Sequence, residues 1–107
     1  MSVFDFQIIT DCKDDAIVNK IIDRLTDITE YQFYYVVDSK VIHLFEATWY
    51  GMPTDMKLLS SEFNDVRFVV YGSDDKDLFV FYFKDGKATD LLRPATAYPQ
   101  FEESMFK

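Results

Sequence analysis

The chain has 107 residues and a mass of 12.6 kDa, enough for one domain that buries about two thirds of its unfolded surface. Nineteen acidic residues against eleven basic ones give a net charge of -8 and a pI near 4.4. That balance argues against direct nucleic-acid binding through phosphates and against docking on an anionic membrane. The single cysteine, Cys12, excludes an internal disulfide and fits a reducing compartment, and three Gly with three Pro exclude collagen-like and linker-like architecture.

The opening MSVFDFQIIT has neither a basic n-region nor an unbroken apolar stretch, so no signal peptide is expected. With no apolar run long enough to cross a bilayer, the expected location is the cytoplasm, that of the host cell if the chain is foreign to it. Residues 3–10 alternate, with Phe4, Phe6 and Ile8 on one face and Asp5 and Gln7 on the other, which predicts a half-buried strand. Asp11 offers an N-cap, and Asp14 and Asp15 sit where a helix dipole favours negative charge. Ile17, Ile21, Leu25 and Ile28 then recur at helical spacing, predicting an amphipathic helix over 13–28.

Aromatic and β-branched residues predict a second strand over 31–37 and a third over 41–50, joined by Asp38-Ser39-Lys40. Strict alternation puts Val41, His43, Phe45, Ala47 and Trp49 on one face of that third strand. Met52, Met56, Leu59 and Phe63 predict a second helix over 54–63, starting at Pro53 or Thr54. Strands follow at 66–71 and 78–83, separated by an acidic loop containing Asp74, Asp75 and Asp77. The later strand is apolar on both faces, so both should be covered. Asp85-Gly86 is a two-residue hairpin signal leading into a short strand at 87–92. The order βαββαβ plus a C-terminal hairpin predicts an α+β fold. Its form is a ferredoxin-like two-layer sandwich, with a mainly antiparallel sheet and both helices on one face. The expected division is one domain over 1–92 and a tail over 93–107.

Trp49 closes a strand, Asp55, Met56, Leu58, Leu59 and Ser60 open a helix, and Glu62-Phe63-Asn64-Asp65 closes it. Val66 to Val70 follow as a strand, and Phe83-Lys84-Asp85-Gly86-Lys87 ends the next. Over about residues 45–87 this pattern resembles the YubB-type ferredoxin-like domain of small phage and plasmid proteins. The resemblance implies the fold and a mobile-element origin, and it carries no catalytic residues. The Gly-Thr-Lys-Trp stretch frequent before that family's tryptophan strand is missing here.

Catalysis is not expected. Cys12 and His43 are the only thiol and the only imidazole, they fall on different elements, and no third orienting group stands out. No metal and no cofactor are expected, because zinc-type ligands are too few and the 74–77 loop lacks a calcium-binding register. The residues that point to function are carboxylates and aromatics. Asp11, Asp14, Asp15, Asp74, Asp75 and Asp77 could meet the Lys and Arg of a partner, as a DNA mimic does, and Tyr34, Trp49 and Tyr50 could anchor it. The reading is a non-enzymatic acidic interaction protein, phage-encoded as the resemblance implies, that binds and inhibits a host defence or nucleic-acid-processing protein with a basic surface. A homodimer through an uncovered sheet face is a further expectation. The alternative is a small ligand-binding or accessory module of a mobile element whose acidity serves only solubility.

Overall fold

The structure, a computed structural model, describes residues 3–74 and 78–89. Its elements run β1 (Phe4–Thr10), α1 (Asp15–Thr29), β2 (Tyr34–Val36), β3 (Val41–Ala47), α2 (Met52–Glu62), β4 (Phe68–Ser73), β5 (Leu78–Lys84) and β6 (Lys87–Ala88). The strands form one antiparallel sheet in the order β2-β3-β1-β4-β5-β6. The first four strands in that order are the split βαβ arrangement of a ferredoxin-like sandwich, and the β5–β6 hairpin widens it beyond β4.

Both helices cover one face. Val18, Ile21 and Leu25 of α1 and Met52, Met56 and Leu59 of α2 are buried against Phe6 and Ile8 of β1, Ile42 and Leu44 of β3, and Phe68, Val70 and Phe83 farther along the sheet. Apolar residues at three- and four-residue spacing give each helix one buried stripe, and alternate positions of each strand supply the facing surface. A bidentate pair, Arg24 to Glu62 at 2.7 and 3.0 Å, ties α1 to α2 at the rim. A second cluster of Val69, Tyr71, Val80 and Tyr82 is buried on the opposite face of β4 and β5. β5 is therefore covered on both faces, as its composition predicts.

Local contacts shift several boundaries. The N-cap of α1 is Asp14, not Asp11: its carboxylate accepts the Ala16 N–H at 2.9 Å. The helix stops at Glu30, which takes the left-handed conformation (φ 62°) and donates its N–H to the Thr26 carbonyl. Only Tyr34–Val36 of the predicted second strand pair with β3. Phe33 and Tyr31 turn instead to Trp49, with ring centroids 5.8 and 6.5 Å away, and Tyr31 donates its hydroxyl to the Thr48 carbonyl.

The largest departure lies in β3. Phe4 pairs with Ala47 and Phe6 with Leu44, so Phe45 and Glu46 together oppose the single residue Asp5. This is a β-bulge, and Glu46 absorbs it in the left-handed region (φ 51°). The Asp5 carboxylate holds it by accepting the Glu46 N–H at 2.8 Å. The extra residue reverses the alternation. Val41, His43 and Phe45 stay on the outer face, whereas Ala47 and Trp49 turn into the core.

Two glycines are required, one by its backbone conformation and one by contact. The Asp85-Gly86 turn has positive φ at both positions (50° and 76°), and the Gly86 N–H donates to the buried Ser60 hydroxyl at 2.9 Å. Phe79 lies across Gly72, where a Cβ would come within 2.1 Å of the ring. The predicted strand at 87–92 is described only as far as Thr89, and the tail at 93–107 lies outside the described residues.

Candidate functional site

The carboxylates fall into two groups at opposite ends of β1. At its C-terminal end, Asp11 joins the start of β4. Its oxygens accept the Arg67 N–H at 2.9 Å and the Arg67 guanidinium Nε at 2.8 Å. Asp14 caps α1. Asp15 accepts the Tyr35 hydroxyl and the Lys40 ammonium on one oxygen, each at 2.7 Å. The Lys40 hydrogen bond, followed by that of Tyr35, holds the Asp15 carboxyl below its usual range. The same Asp15 contact raises Lys40, and burial followed by Asp15 raises the Tyr35 phenol. All three predicted helix-end site residues thus hold parts of the fold together.

At the N-terminal end of β1, strands β1, β3 and β4 bring Asp5, Glu46 and Asp74 to one cleft. Its volume is about 530 Å3, and Val3 and Ser73 complete the described lining. No lysine or arginine is among these lining residues. The acidic 74–77 loop marks Asp74 in the sequence, whereas Asp5 and Glu46 join it only through the fold. The pairing of β1 with both β3 and β4 joins them, with Asp5 opposite Ser73 on one side and the bulge on the other. The only sequence hint was a lone charged residue in each of two apolar strands. Asp75 and Asp77, in the same loop as Asp74, lie outside the described residues.

An exposed aromatic patch adjoins this end of the sheet. Phe45, next to Glu46 in the bulge, is 54% exposed; His43 stacks on it with an interplanar angle of 4°, and Tyr34 lies 5.9 Å away, 50% exposed. Tyr50 is 76% exposed in the turn before α2. Trp49 is a core residue at 6% exposure, and its indole N–H donates to Asp55 at 2.8 Å. Of the three aromatic candidates, Tyr34 and Tyr50 face solvent and Trp49 does not. Phe45 is the exposed ring that strict alternation had assigned to the same face as Trp49.

Cys12 packs against the helix-side core, and its thiol faces the Asp14 carbonyl at 3.6 Å, while His43 lies on the outer face. Among the described residues, no group of three or more His, Cys, Asp or Glu is arranged to hold a metal ion. No described helix is long and apolar enough to cross a membrane. Comparisons with protein-family models, with curated proteins and with solved structures each returned no match to this chain.

Proposed function

We propose that this is a non-enzymatic acidic interaction protein that uses the sheet-end cleft to bind a host protein with a basic surface. The observation that carries this reading is the convergence of Asp5, Glu46 and Asp74 on one open cleft, beside the exposed Phe45. β1 carries Asp5, β3 carries Glu46 and Asp74 directly follows β4, so the backbone that presents the three carboxylates is already in place. The charge steers a basic partner in, and Phe45 and Tyr34 supply apolar contact beside it. A groove that normally holds nucleic acid presents the Lys and Arg that such a surface would meet, and occupying it would inhibit the partner. The phage origin rests on the YubB-type resemblance over residues 45–87.

The test is capture of binding proteins from nuclease-treated bacterial lysate at low and high salt. The reading predicts a discrete partner that is released as salt rises, because screening weakens contacts between exposed charges. Capture that is indifferent to salt would contradict it.

A further inference from the structure

The outer face of the sheet, opposite both helices, is buried unevenly. On β3 Phe45 is 54% exposed, and on β1 Asp5 is exposed while Gln7 and Ile9 are half-buried. On β4 and β5 the same face is closed: Val69 is 1% exposed, Tyr71 7%, and Val80 and Tyr82 0%. Val69 pairs with Tyr82 and Tyr71 with Val80, so the four form one continuous apolar square. Side chains on a sheet face stand side by side, and their ends meet water unless a second layer packs on them. The helices lie on the other face, and among the described residues the partly buried apolar side chain packed against this square is Ile9, at its β1 edge.

These exposures are those of a single chain, so a second copy does not produce them. Residues 75–77 are Asp-Lys-Asp, which supply charge and no apolar cover, and residues 1–2 are too few for the task. Residues 90–107 contain Leu91, Leu92, Tyr98, Phe101, Met105 and Phe106, apolar side chains enough for a layer. They also begin in the right place. Thr89 donates its N–H to the Tyr82 carbonyl at 2.9 Å, and its hydroxyl accepts the Tyr82 N–H at 3.1 Å, so the chain leaves the hairpin beside one of the four buried residues. Strands stand about 4.8 Å apart, so the path from β6 over β5 and β4 to β1 is about 14 Å, the reach of about five extended residues. We infer that residues 90–107 fold back across the outer face of β4 and β5 as an apolar strap, with Leu91 and Leu92 reaching the square first. The strap supplies the second cover of β5 and leaves the aromatic patch of β2 and β3 open, so it stands or falls separately from the proposed function.

Hydroxyl-radical labelling of the full chain tests it, with the exposed Tyr34 and Tyr50 as standards in the same molecule. Tyr71 and Tyr82 should stay protected in the wild type at every protein concentration. In the triple variant Leu91→Asp/Leu92→Asp/Phe101→Asp, folded by circular dichroism, both should lose that protection and approach the reactivity of Tyr34 and Tyr50, because carboxylates do not stay buried against an apolar face. Protection that persists in the folded variant would overturn the inference. So would protection in the wild type that disappears on dilution, which would assign the cover to a second copy. If the variant does not fold, the unaltered chain decides the matter by nuclear magnetic resonance. Nuclear Overhauser contacts from the Leu91 and Leu92 methyls to the rings of Tyr71 and Tyr82 are expected, and assigned methyls without such contacts would contradict the strap.

Discussion

Asp11, Asp14 and Asp15 at one end of β1 and Asp5, Glu46 and Asp74 at the other look alike as formal charges, yet the fold uses them differently. The first three are bound in place by Arg67, by the Ala16 N–H, and by Tyr35 with Lys40. The second three line an open cleft, and Asp5 also holds the bulge by accepting the Glu46 N–H. The contrast separates acidity that builds the fold from acidity that a partner could meet, a distinction net charge cannot make.

The largest effect expected of this contrast is on binding. Glu46→Lys combined with Asp74→Lys should lower affinity for a basic partner by about 100-fold, read by titration calorimetry. Asp11→Ala should do the reverse. Losing two charge-assisted bonds to a partly exposed arginine should cost about 1–2 kcal/mol of stability, seen as a lower midpoint, with partner affinity unchanged.

Acid should act on the held group in a defined direction. Asp15 and Glu62 are both depressed, chiefly by hydrogen bonds from Lys40 and Arg24. Their stabilisation is complete above the ordinary carboxylate pKa of about 4 and disappears as pH falls through their lower folded values. The thermal midpoint should therefore drop in that window, and Asp15→Asn should flatten part of the slope. The smallest effect belongs to Glu46→Gly. Relieving a left-handed non-glycine residue should raise stability by about 0.5–1 kcal/mol while removing one cleft carboxylate. In one molecule this separates the residue's part in the fold from its part in the cleft.

Features set by local chemistry were legible in the sequence. The apolar stripe of α1, the Asp85-Gly86 turn and the two-sided apolarity of β5 each depend on residues close in the chain, and each is in the structure. The misread features depend on distant partners. Asp11 does not cap α1, which begins after Asp14; Arg67, 56 residues away, engages it instead. Trp49 would point outward under strict alternation, but Asp5, 41 residues from Glu46, fixes the bulge that turns it inward. The cleft was legible only in part for the same reason: Asp74 sits in a visibly acidic loop, whereas Asp5 and Glu46 join it through strand pairing.

The most direct test compares two charge reversals of equal size. Glu46→Lys/Asp74→Lys alters the cleft, and Asp23→Lys/Asp27→Lys alters exposed positions of α1 by the same change in net charge. Capture from one nuclease-treated lysate should lose the salt-sensitive partner with the first variant and keep it with the second. Equal loss with both would show that net charge alone drives binding, and full retention by the cleft variant would contradict the site assigned here.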